Sequence, residues 1–181
     1  VNFAKPSGRN IGGKGTGNGR LAAPVDLAFS PKGELYVLDG PVSGASVQVF
    51  SRRADYIQSF GSASRGDGRL EKPVGLVVDT SGVVHVLDAQ RRKVVSFKDG
   101  RPLRAFDCGP KTAQLTDLAY DITTDSLIVL DSASGQAAVY STSGTVRART
   151  IGSKAGLATL RGATRIAASG SGGVLAVSGA G

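Results

Sequence analysis

Short runs of apolar residues alternate with turn residues along the whole chain. In the first complete unit these runs cover residues 25–29, 34–39, 46–50 and 56–60, and Gly, Pro, Ser and Asp dominate the joints between them. Runs of this length with period-two alternation, bounded by such residues, predict β-strands. No window keeps its apolar residues at helical spacing. The pattern therefore predicts an all-β fold.

The pattern repeats at a nearly constant interval. Gly-Arg-Leu-x-x-Pro at residues 19–24 returns at residues 68–73, and Val-Leu-Asp at residues 37–39 returns at residues 86–88. Predicted strands recur at 74–79, 83–88, 93–97 and 103–106, then at 116–121, 127–131, 137–140 and 146–151, and a weaker copy includes residues 166–168 and 174–178. Four antiparallel strands in a repeat of about 40–50 residues predict the blade of a β-propeller.

The repeat also divides the chain. We expect a blade remnant over residues 1–12, complete blades over about 13–61, 62–109 and 110–152, and a partial blade over 153–181. A ring of six such blades needs about 280 residues, and an open arc leaves a blade face and a sheet edge uncovered. The sequence predicts a piece of a larger propeller, or a propeller that additional chain or another subunit closes.

Three recurring phrases carry a family resemblance. Gly-x-Leu-x-x-Pro, then Gly-x-x-(Tyr/His)-Val-Leu-Asp, then Phe-Gly occur in this order, most clearly over residues 12–106. This arrangement resembles the NHL-repeat family. The chain departs from the family before the third strand of each blade, where Lys93 suits the expected basic residue but Ser46 and Ala137 do not. The resemblance implies a propeller used for protein or RNA binding, and occasionally as the scaffold of a lyase or lactone hydrolase.

Composition removes several classes of function. No run approaches the ~18 apolar residues of a membrane-spanning helix, and the single His85 and single Cys108 exclude His-cluster metal centres and disulfide frameworks. His85 aligns with Tyr36, Ile128 and Leu175 of the other repeats, so we expect it to pack in the core or at the rim of its blade. We expect Cys108 to be an ordinary thiol. The sequence predicts a protein without catalytic residues, bound metal or cofactor. A Gly-, Ala- and Arg-rich composition without Met favours an exported bacterial protein, periplasmic or extracellular.

Two sets of polar residues recur once per repeat. Asp39, Asp88 and Asp131 end the second strand of their repeats, and we expect each to accept backbone N–H groups in the following turn. The second set lies near the start of the first strand, which lines the central channel of a propeller. There Asp26, Asp117 and Arg165 would bind a small ligand or ion at the channel mouth, or be solvated by channel water.

Charge distinguishes the two loop edges of the predicted blades. The chain carries a net charge of +8. The loops between blades and those between strands two and three share one edge, and they hold Lys14, Arg20, Arg65, Arg69, Lys72, Arg91, Arg92, Lys111, Lys154 and Arg161. Few acidic residues accompany them, whereas the opposite edge is nearly neutral. Such asymmetry favours an anionic partner.

The partner that this edge favours is an acidic protein surface within a larger assembly. The residues expected to carry binding are Arg20, Arg65, Arg69, Lys72, Arg91, Arg92 and Arg161. RNA binding by the same edge is the alternative, and a propeller-scaffold lyase or hydrolase is a further one. RNA binders commonly expose aromatic rings for base stacking, whereas we expect Phe29, Phe50, Phe60, Phe97 and Phe106 all to be buried.

Overall fold

The computed structural model describes residues 10–40, 44–62, 66–151, 162–169 and 174–178. This part of the chain forms strands and turns without a helix, so it contains no helix able to cross a membrane. The strands are β1 (Gly13–Lys14), β2 (Arg20–Leu21), β3 (Pro24–Phe29), β4 (Leu35–Asp39), β5 (Ser46–Phe50), β6 (Tyr56–Phe60), β7 (Pro73–Val78), β8 (Val84–Asp88), β9 (Lys93–Lys98), β10 (Arg101–Asp107), β11 (Leu115–Asp121), β12 (Ser126–Asp131), β13 (Gln136–Ser141), β14 (Val146–Ile151), β15 (Ala163–Ala168) and β16 (Val174–Ser178).

Twelve of these strands form three antiparallel sheets with the same topology. Each sheet is a meander in which consecutive strands pair: β3–β6 form blade 1, β7–β10 form blade 2 and β11–β14 form blade 3. Strands β15 and β16 pair as the beginning of blade 4, and β1 pairs with β2 in parallel. The predicted four-stranded repeat and all-β class are therefore confirmed. The predicted blade remnant lies largely outside the described residues.

Turn chemistry explains why each blade reverses at the same place. After β3, Gly33 adopts a φ of 78° and donates its N–H to the Ser30 carbonyl at 2.8 Å. Gly82 occupies the same position after β7, with a φ of 77° and a 3.0 Å bond to the carbonyl of Asp79. Glycine adopts this left-handed conformation without the cost that a Cβ imposes. The repeat therefore preserves this glycine turn in blades 1 and 2, whereas in blade 3 Asp125 adopts the positive φ, 47°, before β12.

The core lies between successive blades. Val49, Phe60 and Val86 belong to a cluster that blades 1 and 2 share, and the Phe60 and Phe97 rings lie 4.8 Å apart. A second cluster joins blades 2 and 3, and a third joins blade 3 to β15. The innermost strands contact one another in the order β3, β7, β11, β15. Each blade thus buries both faces only when it has a neighbour on each side.

Phe29 contradicts the expectation that the strand phenylalanines are buried. Its side chain is 65% exposed, whereas Phe50, Phe60 and Phe97 are buried and Phe106 is half-buried. Phe29 pairs across β3–β4 with Leu35, so it points to the face of blade 1 that lies away from blade 2. The expectation of burial was wrong because the exposure of Phe29 depends on whether a neighbouring blade covers this face, and the described residues provide no such blade.

His85 is fully buried in blade 2, in a network of hydrogen bonds. Its Nε2 lies 3.2 Å from Oδ2 of Asp79, and its Nδ1 lies 2.9 Å from Oγ of Ser96. Burial lowers the pKa of His85, although Asp79 acts in the opposite direction. Burial alone raises the pKa of Asp79, but bonds from Val83, Ser81 and His85 outweigh it and the pKa is lowered. A neutral His85 that donates to Asp79 and accepts from Ser96 satisfies all three side chains.

Candidate functional site

A carboxylate at the end of the second strand fixes the loop edge of each complete blade, and in blades 1 and 2 this carboxylate is buried. Asp88, which is fully buried, accepts the N–H groups of Glu71 and Lys72 at 2.6 and 3.2 Å, and those of Gln90 and Arg91 at 3.1 Å each. Asp88 therefore fastens the loop entering blade 2 to the turn between β8 and β9. One acidic side chain in this way holds two loops that carry basic residues.

The other two aspartates of this set occupy the same place in blades 1 and 3. Asp39 accepts the N–H of Ala23 at 2.7 Å and that of Ala22 at 3.0 Å. Asp131 accepts the N–H of Gln114 at 2.9 Å and that of Ala133 at 3.1 Å. These bonds connect the incoming loop to the second strand in each of the three blades. Charged acceptors make stronger hydrogen bonds than neutral ones, so this edge has a well-defined shape.

Several basic side chains project from the loops that these aspartates hold. The guanidinium of Arg91 donates to the backbone carbonyls of Asp67, at 3.2 Å, and of Arg69. The side chain of Arg69 lies 3.7 Å from Glu71. Lys72 is exposed, and among the described residues its ammonium group has no acidic partner. Arg91 is therefore partly structural, whereas Lys72 is available to a partner.

The remaining residues predicted to bind are distributed along the same edge or fall outside the described residues. Arg20 is exposed on β2, two residues before the Ala22–Ala23 segment that Asp39 holds. Arg92 is half-buried with a φ of 49°, in the turn that leads into β9. Arg65 and Arg161 lie outside the described residues. The described part of the basic set thus lies in blades 1 and 2.

A pocket that was not among the sequence-based expectations opens between blades 2 and 3 at this edge. Its volume is about 460 Å³, and its wall includes Lys72, Gln90, Gln114 and Thr116. The hydroxyl of Thr116 is buried without a hydrogen-bond partner. One sequence feature distinguishes this site, because the position of Thr116 is Val in blades 1 and 2. The pocket therefore offers an ammonium group and two amides beside the basic loops.

The channel-mouth residues take part in contacts between blades. Oδ2 of Asp26 accepts the N–H of Leu76 in blade 2 at 2.8 Å, and Oδ2 of Asp117 accepts the N–H of Ile166 in blade 4 at the same distance. Arg165 lies 3.4 Å from Oδ1 of Asp117. Burial raises the pKa of Asp117, against the opposing effect of bonds from Ile166 and Leu118 and of the Arg165 charge. Both carboxylates are thus already engaged with neighbouring backbone.

The inner strands also line a wide cavity. It measures about 490 Å³ and is bounded by β3, β7, β11 and β15, with Leu27 and Phe29 among its apolar walls. In the described ranges, no group of three or more His, Cys, Asp or Glu side chains is close enough to hold a metal ion. Burial raises the pKa of Cys108 to about 12, so its thiol stays protonated. The described chemistry of this part of the chain is hydrogen bonding and charge.

Comparison with known proteins establishes the fold. No protein-family model matches the sequence, and no curated protein matches it. Among solved structures, Kuenenia stuttgartiensis hydrazine synthase is similar over 97% of this chain, with a TM-score of 0.65 and 16% identity. A streptogramin B lyase is similar over 83%, with a TM-score of 0.64 and 10% identity. A catalytically inactive virginiamycin B lyase from Staphylococcus aureus with quinupristin is similar over 85%, with a TM-score of 0.66 and 10% identity.

These neighbours are propellers with four-stranded blades, so the predicted propeller fold is confirmed. At identities this low the likeness concerns the fold alone. The chain spans about half the length of these proteins: 46% of the hydrazine synthase chain, 46% of the streptogramin B lyase and 48% of the virginiamycin B lyase. The described sheets do not close into a ring.

Proposed function

We propose that this propeller segment is a non-enzymatic binding scaffold of the NHL-repeat type, whose basic loop edge contacts an acidic protein within a larger assembly. In this assembly additional chain or another subunit completes the ring, in the periplasm or outside the cell. The observation that carries the proposal is the attachment of the basic loops to the blades. Because Asp88 holds the backbone N–H groups of Lys72 and Arg91, these basic side chains leave the blade from fixed backbone positions.

The pocket between blades 2 and 3 supports an acidic partner over a neutral one. A carboxylate entering it would meet the ammonium of Lys72 and the amides of Gln90 and Gln114. All of these groups can donate a hydrogen bond to a carboxylate oxygen. A pre-formed pocket also lowers the entropy lost on binding.

Poly-L-glutamate is a suitable probe for this edge. We expect Arg69→Glu combined with Lys72→Glu to weaken its binding about tenfold, which corresponds to about 1.4 kcal/mol. Lys32→Glu combined with Arg101→Glu is the matched control, because it removes the same charge from exposed positions on the opposite loop edge. If both double variants weaken binding equally, net charge alone explains the effect, and a defined binding edge is refuted.

RNA binding is tested with the same variants. We expect single-stranded poly-U, titrated over a series of salt concentrations, to bind weakly. The native protein and the double variant at Arg69 and Lys72 should bind it equally. The basic edge lacks an exposed aromatic ring among its described residues, since the exposed Phe29 lies at the opposite end of β3, next to the turn into β4. Tight binding of poly-U with a steep salt dependence, lost in the double variant, would favour RNA as the ligand.

A further inference from the structure

The turn that leads into blade 1 differs from its copy before blade 2 in one residue. Residues 17–20 read Gly-Asn-Gly-Arg and residues 66–69 read Gly-Asp-Gly-Arg. In each turn the N–H of the arginine donates to the carbonyl of the first glycine, at 3.0 and 3.2 Å. Asn18 therefore holds the place that Asp67 has in the next blade, and both residues are exposed. The basic loop edge thus carries an amide and a carboxylate at equivalent positions.

The residue that follows Asn18 favours a reaction between its side-chain amide and the backbone. Asparagine is one of the thermolabile residues of proteins, because the nitrogen of the next residue can attack its Cγ. Gly19 has no Cβ to obstruct this approach, and it tolerates conformations that other residues avoid. The other described asparagine, Asn10, precedes the β-branched Ile11, whose side chain obstructs the same approach. Among the described residues, Asn18 is therefore the asparagine at which ring closure is sterically open.

The side chain of Gln48 holds this turn by two hydrogen bonds. Its Oε1 accepts the N–H of Gly19 at 2.8 Å, and its amide nitrogen donates to the carbonyl of Arg20. Gln48 lies in β5 and is 3% exposed, so the Gly19 nitrogen is engaged with a buried group. A backbone nitrogen must give up such a bond before it can act as a nucleophile. The contact with Gln48 therefore opposes ring closure while the turn is folded.

Asn18 and Gln48 occur together in one repeat. In the equivalent position of the third strand, blade 2 has Val95 and blade 3 has Ala138 in place of Gln48. Blade 2, which lacks this acceptor, has Asp67 in place of the asparagine. Among the three complete blades, the amide is therefore present only where a buried glutamine engages the nitrogen that would attack it.

We propose that Asn18 is a site of spontaneous deamidation, with water as the co-reactant, and that Gln48 restrains the reaction in the folded protein. The Gly19 nitrogen forms a bond to Cγ of Asn18, the Cγ–Nδ2 bond breaks, and ammonia leaves with the proton of the Gly19 N–H. Water then opens the cyclic imide. Opening at Cγ gives aspartate and opening at the main-chain carbonyl carbon gives isoaspartate, and no atom is oxidised or reduced. The product places a negative charge two residues from Arg20 on the basic loop edge.

Mass spectrometry of tryptic peptides, after incubation of the purified protein at mildly alkaline pH, tests the site. Cleavage after Lys14 separates Asn10 from Asn18. We expect the peptide with Asn18 to gain the mass difference between a hydroxyl and an amino group, and an isoaspartyl methyltransferase to label part of the product. Asn10 is the internal control, because it is also exposed and should keep its mass. Equal conversion at both asparagines, or an unchanged Asn18 in urea, would overturn the proposal.

Replacement of Gln48 tests the restraint. Gln48→Val introduces the residue of blade 2, and we expect it to accelerate the reaction of Asn18 in the native state about tenfold, which corresponds to about 1.4 kcal/mol. The rate in urea should not change. Gln48→Glu is the matched control, since a carboxylate still accepts the Gly19 N–H and should keep the reaction slow. An unchanged rate in Gln48→Val, or equal acceleration by both variants, would refute the restraint.

The unsubstituted protein provides a second measurement of the restraint, which does not require a variant to fold. Asn18 should react faster in urea than in buffer, because unfolding releases the Gly19 N–H from Gln48. Equal rates in the two solutions would refute the role of Gln48. Because mass spectrometry detects the reaction directly, none of these outcomes depends on the partner of the basic loop edge.

Discussion

Replacing Asp88 with Ala is expected to destabilise the protein more than the same change at Asp131. Asp88 is fully buried and accepts four backbone N–H groups, of Glu71, Lys72, Gln90 and Arg91. A hydrogen bond to a charged group contributes about 1.5–3 kcal/mol, but donors in surface loops regain water when the acceptor is lost. If each of the four lost hydrogen bonds lowers the free energy of unfolding by about 1 kcal/mol, their sum is about 4 kcal/mol. The alanine variant no longer has to bury a carboxylate, which returns part of this free energy, so we expect a net loss of about 3 kcal/mol.

Asp131 provides the matched comparison in the same place of the third blade. It accepts the N–H groups of Gln114 and Ala133 and the hydroxyl of Ser134, but it is only half-buried and its partners are largely exposed. Water replaces the lost acceptor more readily there, so we expect about 1 kcal/mol for Asp131→Ala. Asp88→Asn retains one acceptor oxygen, so we expect it to cost less than Asp88→Ala and more than Asp131→Ala.

Urea unfolding followed by far-UV circular dichroism measures these differences. With a slope of about 2 kcal/mol per molar urea, the Asp88→Ala midpoint should fall by about 1.5 M and the Asp131→Ala midpoint by about 0.5 M. The slopes themselves should not change, since neither variant alters the surface exposed on unfolding. Equal shifts for the two alanine variants would refute the reasoning that burial and donor number set the cost.

Three further outcomes follow from individual side chains. The stability of the native protein should fall as the pH drops below about 6.5, because the unfolded state protonates its histidine while the lowered pKa keeps folded His85 neutral. Urea denaturation at pH 5 to 7 measures this dependence, and His85→Ile should remove it. Gly75→Ala should cost about 1–3 kcal/mol, since its Cβ would lie 2.9 Å from the backbone nitrogen of Leu118, whereas Gly17→Ala, with open space around it, should cost little. Cys108, whose pKa burial raises to about 12, should react with iodoacetamide in urea but not in the native state, as mass spectrometry of the adduct would show.

The repeat made the strands and their pairing predictable. Each apolar run of the three complete repeats became a strand of a four-stranded meander, because alternation and turn residues such as Gly33 and Gly82 are local signals. The turn positions of Asp39, Asp88 and Asp131 were likewise visible from their recurrence. What recurrence did not reveal is that their carboxylates also hold the loop that enters each blade, since that contact joins residues 16 or 17 positions apart.

Non-local features were the ones that sequence reasoning missed. Phe29 was expected to be buried, but its exposure depends on whether a neighbouring blade covers its face of β3, which the residues around it in the sequence do not encode. Comparison of repeats predicted that His85 is a packing residue, and its bonds to Asp79 and Ser96 arise because β8, β9 and the turn after β7 bring these side chains together. The pocket near Thr116 is lined by residues of two blades, so comparing single repeats could not predict it.

The order in which the innermost strands contact one another has a consequence for how the molecule opens. Blade 2 is the only described complete blade with a complete blade on each side, since contacts run from β3 to β7 and from β7 to β11. In such a linear array each unit is stabilised by its own hairpins and its immediate neighbours. Amide hydrogen exchange should therefore be slowest in β8 and β9 and become faster towards both ends, so that local opening proceeds inwards from the terminal blades.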